Sequence, residues 1–156
     1  MKGYFVKLLI VGCFFGLVSM AEAQQMAEAE VPFEILKWHF NHYPNSESQS
    51  WQKLNDHALV AEFTFKEGSY RTVYLMDGKR LSEEMDMTKN IPLSIQYYLD
   101  DKYGKYKVQN FTKVTNFSEE QTYYTMGLKT KANPEEKLSF DEHLIPIDFA
   151  LISSID

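Results

Sequence analysis

The segment VPFEILKWHFNHY, residues 31–43, decides how this chain is organised, because IPLSIQYYLDDKY, residues 91–103, repeats its pattern about 60 residues later. Each segment opens with an apolar residue followed by proline, and each ends in tyrosine. Proline suits the first turn of a helix, where its missing N–H leaves no hydrogen bond unmade. Both segments therefore predict a helix, and the constant spacing indicates two copies of one structural unit.

The buried face of each helix is predicted from residues that recur at helical spacing. In the first helix these residues are Leu36, His39, Phe40 and Tyr43. In the second helix they are Ile95, Leu99 and the stem of Lys102. Pro44 ends the first helix, since the residue before a proline is pushed out of helical geometry, and Gly104 ends the second.

After each helix the hydrophobic pattern changes to the period of a strand. Residues 61–65 alternate apolar with polar, and Glu67-Gly68 predicts a tight turn into a strand at residues 69–76. Asp77-Gly78 predicts a second turn, which leads into a strand at residues 80–87. A further strand is predicted around Trp51. The second unit repeats this order, with strands predicted at residues 107–117, 122–131, 136–140 and 144–149.

The predicted fold class is α+β, a tandem duplication of a helix plus an antiparallel sheet of about four strands. The first unit spans residues 31–87 and the second spans residues 91–149. A unit of roughly 60 residues is marginally stable alone, so we expect the two units to form one compact domain. Continuous sheet pairing across the junction would place both helices on one face of the sheet. Two separate lobes are the alternative.

The amino terminus has the features of a secretory signal peptide. Lys2 and Lys7 supply positive charge, residues 8–18 form an uninterrupted apolar run, and Ala21-Glu22-Ala23 supplies small residues where signal peptidase cleaves. A membrane anchor is the alternative, but a span needs roughly 20 apolar residues. We therefore predict a signal peptide at residues 1–23, cleavage after Ala23, a periplasmic or extracellular location and no stable membrane insertion afterwards.

The single cysteine and the acidic composition narrow the function classes. Cys13 lies inside the apolar run, whereas a lipidated cysteine should follow such a run, so the sequence favours a mature chain without thiol, disulfide or lipid. Residues 24–30 are polar and aperiodic, which predicts a flexible leader. The formal net charge of −6 disfavours partners such as nucleic acid and anionic membranes.

Candidate catalytic and metal-binding residues are sparse. His39 and His42 are three residues apart, a spacing that can bring two imidazoles to one metal, but no third ligand accompanies them. A packed, hydrogen-bonded His39 is the favoured interpretation. The glycines of the mature chain are isolated, and its paired carboxylates are adjacent in sequence and expected to point apart. The sequence therefore predicts a protein that is not an enzyme and has no cofactor or metal.

The predicted hairpin supplies a candidate binding face. If Phe63 and Phe65 face the helix, period-two alternation puts Glu62, Thr64, Arg71 and Val73 on the opposite face, with residues 67–68 as the turn. We predict that this face contacts an extracytoplasmic protein whose identity the sequence does not specify; the oligomeric state is also left open. The alternative is a small-ligand or glycan-binding protein with a tyrosine-lined groove, because aromatic residues make up 15% of the chain.

The arrangement of these residues resembles a known family. The order runs Pro32, Phe40, Tyr43-Pro44, Trp51, Glu62-Phe63, Gly68, Val73-Tyr74, Asp77-Gly78, then Ile91-Pro92, Tyr97-Tyr98-Leu99 and Lys102-Tyr103. It is similar to the secreted PepSY-like, β-lactamase-inhibitor-like proteins of Bacteroidetes. The resemblance implies tandem helix-plus-sheet units, an extracytoplasmic location and no enzymatic activity. It assigns no functional residue, because the shared positions describe the fold, and Glu142 replaces the turn glycine in the second unit.

Overall fold

The computed structural model describes residues 24–147, and these residues contain two α-helices and nine strands. The predicted signal peptide and the last two residues of the predicted final strand, 148–149, lie outside the described residues.

The two helices begin where the prolines predict. Helix α1 (Phe33–His42) follows Pro32, and helix α2 (Leu93–Tyr103) follows Pro92. Both prolines have the same extended conformation, with φ and ψ of −53° and 135° at Pro32 and −57° and 144° at Pro92. Gly104 ends α2 with a φ of +64°, a value that residues with a side chain rarely adopt.

The strands form an antiparallel meander. In chain order they are β1 (Gln24–Met26), β2 (Glu47–Asn55), β3 (Ala58–Phe65), β4 (Gly68–Leu75), β5 (Arg80–Asp86), β6 (Tyr106–Asn116), β7 (Gln121–Thr130), β8 (Glu136–Phe140) and β9 (Pro146–Ile147). A 3-10 turn (Glu28–Glu30) joins β1 to α1. The order of a helix followed by four strands therefore occurs twice, and the α+β class is confirmed.

All nine strands belong to one sheet, in which each strand pairs antiparallel with its neighbours along the chain. Strand β5 pairs with β6 from Ser82–Asn116 to Asp86–Thr112, so the sheet continues across the junction of the two halves. The expectation of continuous pairing is confirmed, and the alternative of two separate lobes is wrong.

Both helices pack on the same face of this sheet. Helix α1 covers a core that contains Phe63, and the register carries that face through Tyr70 and Met85 to Lys113. Phe111 lies two residues before Lys113 and therefore shares its face, and it belongs to the core under α2. The buried residues under α1 are Val31, Ile35, Tyr43, Trp51, Leu59, Ala61, Phe63 and Tyr74. Those under α2 are Ile95, Leu99, Phe111, Met126, Leu128 and Phe140.

The amino-terminal leader corrects one prediction. Residues 24–30 are not the flexible leader that their sequence predicts, because they contain β1 and the 3-10 turn. Strand β1 pairs along β2, with Met26 opposite Trp51. A three-residue edge strand has too few positions to show alternation, so its partner, rather than its own sequence, defines it.

Two local predictions also change. Phe40, predicted to be buried, is 37% exposed, while Ile35 takes the core position at 0% exposure. The first tight turn is centred on Lys66-Glu67, because Phe65 pairs with Gly68. Lys66 supplies the positive φ of +54°, and Gly68 is already part of β4. The shift leaves each side chain on its predicted face but moves the cross-strand pairing by two residues.

Candidate functional site

The face of the sheet opposite the helices carries a row of charged side chains. Strands β3, β4 and β5 contribute Glu62, Arg71 and Glu84, which the register places side by side. Arg71 Nε lies 3.9 Å from Glu62 Oε1, and Arg71 Nη1 lies 3.3 Å from Glu84 Oε1. The side chains of Arg71, Glu62 and Glu84 are 39%, 44% and 41% exposed, respectively, so they are partly accessible and held in place by one another.

The four sequence-predicted face residues occupy one side of the sheet. Glu62 lies directly opposite Arg71. Thr64, two residues further along β3, pairs with Ser69. Val73 shares the face but is 6% exposed, so it supports the surface more than it offers contact area. The sequence did not identify Glu84, because the register of β5 depends on a bulge between its pairs to Val73 and Tyr74.

The two ends of this face differ in character. At one end Ala58, Val60 and Val73 are buried and pack with Leu81. On the other side of Arg71 lies a shallow cavity of about 220 Å³. Its polar lining consists of Glu62, Ser69, Arg71, Glu84, Asp86 and Thr112, together with Tyr70. The apolar end is therefore closed by its own side chains, and the polar end is open to contact.

Hydrogen bonds keep Asp86, at the polar end of this face, ionised. The Thr88 hydroxyl and backbone N–H donate hydrogen bonds to Asp86, at 2.6 and 2.8 Å, and these bonds hold the pKa of Asp86 below its usual value. Burial, with a smaller contribution from the negative charge of Glu84, raises the pKa of Tyr123, which keeps its phenol protonated. Glu62, Glu84 and Asp86 therefore line this cavity together with a single arginine, Arg71.

The two histidines of α1 have separate environments. His39 is 0% exposed, with Nδ1 2.9 Å from the Tyr74 hydroxyl and Nε2 3.1 Å from the Ser46 hydroxyl. Burial lowers the pKa of His39 to about 4. The favoured interpretation of a packed, hydrogen-bonded His39 is confirmed. Among residues 24–147, no group of three histidine, cysteine or acidic side chains is placed to hold a metal.

A ring stack joins α1 to the second half of the sheet. We use this name for His42, Trp38, Arg80 and Phe117, which lie in that order. The Trp38 ring is 3.7 Å from the His42 ring, and the Arg80 guanidinium carbon is 4.2 Å from the Trp38 ring and 3.8 Å from the Phe117 ring. Arg80 Nη1 also lies 3.2 Å from Glu83 Oε2. The Arg80 guanidinium therefore makes cation–π contacts with two rings, Trp38 from the first half of the chain and Phe117 from the second half.

Tyr43 completes the polar side of this junction. Its hydroxyl donates a hydrogen bond to Glu83 and accepts one from Arg80 at 3.4 Å. Burial is the main cause that raises the pKa of Tyr43, and the hydrogen bond to Glu83 raises it further. The phenol therefore remains protonated and donates at neutral pH. These polar groups are satisfied by each other, which is typical of a structural joint.

Three grooves bear on the alternative of a tyrosine-lined ligand site. They contain one tyrosine each: Tyr106 beside the loop before α2, Tyr98 beside β8, and Tyr70 beside Arg71. None of these three grooves is lined by several tyrosines. Among the described residues, no helix has the length and apolar character needed to cross a membrane.

Comparison with known proteins identifies the fold. No protein-family model matches the chain. No curated protein matches it either. Similar solved structures include a DUF2874 family protein from Bacteroides ovatus, with 14% identity, a TM-score of 0.62 and coverage of 75% of this chain and 84% of that one. A BLIP-like protein from Bacteroides fragilis has 15% identity, a TM-score of 0.60 and coverage of 74% and 82%.

A third similar structure comes from Bacteroides eggerthii and is described as a candidate periplasmic protein. It has 16% identity, a TM-score of 0.63 and coverage of 76% of this chain and 86% of that one. The chain thus shares the fold of these Bacteroides proteins, and at such identities the likeness shows the fold alone.

Proposed function

We propose that this protein is a non-catalytic binding module that contacts another protein through the sheet face opposite its helices. The observation that carries this proposal is the row of Glu62, Arg71 and Glu84, whose charges are partly exposed and fixed by mutual ion pairs. Charged groups that are already held in position lose little side-chain entropy when a partner binds. The open polar cavity beside Arg71 gives such a partner a place to insert a side chain.

An inhibitor-like role is the finer form of this proposal. Its support is the shared fold with a BLIP-like protein, together with the resemblance of the sequence to β-lactamase-inhibitor-like proteins. A sheet face that grips an enzyme would act by covering its active site, which requires a large complementary surface and no chemistry of its own. Titrating the purified protein into a β-lactamase assay tests this form, and unchanged hydrolysis would leave the binding module with a different partner.

The non-catalytic character is supported by where the strongly perturbed groups lie. His39 and Tyr74 are hydrogen-bonded to each other under α1, and Tyr43 is bonded to Glu83 and Arg80. Catalytic groups with shifted pKa values normally line a cleft that a substrate can enter. Here the shifted groups stabilise the core and the joint between the halves.

We also propose export to the periplasm or cell exterior. The support is the charged start, apolar run and Ala21-Glu22-Ala23 site of the sequence, together with the candidate periplasmic protein of the same fold. Cell fractionation and mass measurement of the mature amino terminus test this directly. A protein that retains residues 1–23 in the cytoplasm would contradict it.

A tandem duplication is proposed as the origin of the two halves. Positions separated by 60 residues have matching roles: Ile35 and Ile95 are buried on their helices, and Tyr43 and Tyr103 each donate a hydrogen bond from a helix end to a glutamate. An experimental structure in which residues 31–87 fail to superpose on residues 91–147, strand for strand, would contradict this origin.

The binding proposal is tested by capture from the native cell envelope with matched charge variants. The face variant is the double substitution Arg71→Glu, Thr64→Arg. The control, Lys37→Glu with Ser94→Arg, makes the same charge change on exposed helix positions. We expect one partner to be captured by wild type and control and lost from the face variant, with circular dichroism showing that all three are folded. Equal capture by all three would contradict the proposed face.

A further inference from the structure

Strand β6 is longer than its neighbour β5, and its first residues form a step in the sheet. Strand β5 pairs with β6 only at residues 112–116. One further bond joins the Met87 amide to the Phe111 carbonyl, and the chain then turns away, because the Asn90 amide donates to the Met87 carbonyl at 2.8 Å. Residues 106–108, which we call the β6 step, pair with β7 on one side, and no strand of the described chain lies on their other side.

The backbone groups of two step residues point away from β7. The Gly127 amide donates to a side chain of β6 at 3.0 Å, which shows that the backbone N–H of Gly127 faces β6. Backbone direction alternates along a strand, so Lys129 also faces β6 and bonds its register partner, Lys107. Tyr106 and Val108, the neighbours of Lys107, therefore direct their N–H and C=O groups to the other side. These four groups form an edge to which a further strand can bond.

A groove of about 530 Å³ lies along this edge. Val108 lines it from β6, and Gln96 and Leu99 line it from α2. Residues 88–91 line it from the loop that joins β5 to α2. The side chain of Val108 lies on the helix side of the sheet, since its register partner Leu128 belongs to the core under α2. The groove therefore offers an apolar wall to a side chain of an added strand.

Lysines surround the β6 step. Lys89 lies in the loop that lines the groove, Lys105 precedes β6 and Lys107 is part of it, and all three are exposed. None of them forms an ion pair with another residue of the described chain. Lys107 also lies directly opposite Lys129, and like charges in this position repel. An acidic side chain beside Lys107 would relieve that repulsion, so the step favours a segment that alternates acidic with apolar residues.

We propose that the β6 step binds an extended acidic peptide segment of a partner protein, which adds to the sheet as a short strand beside Tyr106 and Val108. Backbone N–H and C=O groups at the spacing of a strand bond another extended backbone, which makes a peptide the matching class of ligand. A residue opposite Val108 would project toward Leu99, and its two neighbours would project to the face of Lys107. Arg71 lies two strands away on β4, so this site is distinct from the charged face.

A second copy of the chain fits the β6 step less well. Two steps paired edge to edge would bring their lysines together, and lysine at a strand edge is a common device against such self-association. Asp86 and Asp100 are the acidic groups bonded to the lining, and both already accept hydrogen bonds from hydroxyl groups of the groove. The lysines that discourage a second copy attract an acidic segment.

A peptide titration of the isotope-labelled protein, expressed from the full chain, tests the proposal. The probe is acetyl-Glu-Val-Glu-Val-Glu-amide, and the control peptide has lysine in place of each glutamate. Exchange of the Val108 amide with solvent is measured by NMR. We expect saturating acidic peptide to slow this exchange at least about tenfold, because the amide gains a ladder bond, and the basic peptide to leave it unchanged. The Lys107 amide, which faces β7, should stay protected throughout and reports that the sheet is intact.

Charge variants test how the peptide is recognised. Lys107→Glu reverses the charge at the step and remains compatible with the fold, since it places a carboxylate opposite Lys129. Lys37→Glu makes the same charge change at an exposed position of α1. We expect Lys107→Glu to weaken binding of the acidic peptide at least about fivefold and Lys37→Glu to change it less than about twofold.

Several results would overturn the proposal. They are no binding of the acidic peptide, binding that leaves Val108 exchange unchanged, equal protection by the basic peptide, and equal binding by the two charge variants. A Val108 amide that is already protected in the free protein would also overturn it, because the edge would then be covered. In that case, protection that rises with protein concentration would identify a second copy as the occupant.

Discussion

Protonation of His39 should destabilise the protein as the pH falls from neutral toward 4. The imidazole is buried under α1, and its pKa falls from the usual 6.5 to about 4 in the folded state. Between these two values the unfolded chain binds a proton that the folded chain excludes, so the free energy of unfolding decreases as the pH falls. A tenfold difference in proton affinity between the two states corresponds to about 1.4 kcal/mol, so the pKa difference of His39 gives a loss of about 3 kcal/mol.

Urea denaturation from pH 7.5 to 3.5 measures this loss when wild type is compared with His39→Gln. The amide of glutamine does not titrate and can still bond the Tyr74 and Ser46 hydroxyls. Carboxylates titrate in both proteins, so the difference between their curves isolates His39. We expect that difference to change by about 3 kcal/mol, nearly all of it above pH 4.

A direct titration makes the test sharper. An NMR titration of the His39 ring should give a midpoint of about 4. Parallel stability curves for wild type and His39→Gln, or a midpoint near 6.5, would refute the argument that burial excludes the proton.

Two further substitutions test the joint and the helix end. Arg80→Met should lower the free energy of unfolding by about 2 kcal/mol, because it removes the cation from the ring stack and leaves Glu83 without its ion pair. Lys79→Met, at a side chain that is 78% exposed, should cost much less in the same urea experiment, and equal losses would contradict a role for the stack. Gly104→Ala should cost about 1 to 3 kcal/mol from its backbone conformation alone, with φ at +64° and ψ at −63°, since an added Cβ would meet nothing within 4 Å. Thermal unfolding of this variant beside Lys105→Ala measures that cost, and an unchanged midpoint would rule it out.

Much of the local structure followed from individual residues. Pro32 and Pro92 set the starts of both helices. A proline is tolerated at the first turn of a helix, but in the helix interior it removes a backbone hydrogen bond and clashes with the preceding turn. Gly104 set the end of the second helix through its positive φ. The alternation in β3 separated Phe63 from Glu62 correctly, since the two-residue period of a strand does not depend on its partners.

Only part of the candidate face could be predicted from the sequence by the same reasoning. Its members on β3 and β4 followed from alternation, but the ion pair between Glu62 and Arg71 depends on a turn centred at Lys66-Glu67. Gly68 is a stronger turn signal than Lys66, so the predicted pairing was displaced by two residues. Glu84 joined the row only through the pairing of β4 with β5.

By itself, the sequence determined the α+β class, the helix boundaries and which side chains share a strand face, because these depend on contacts between residues close together in the chain. Tertiary structure decided the rest. It made β1 a strand by pairing Met26 with Trp51, turned Phe40 outward while Ile35 entered the core, and placed Arg71 between two glutamates. Such outcomes depend on which distant strands meet and in what register, and those pairings are set by the packing of the whole sheet.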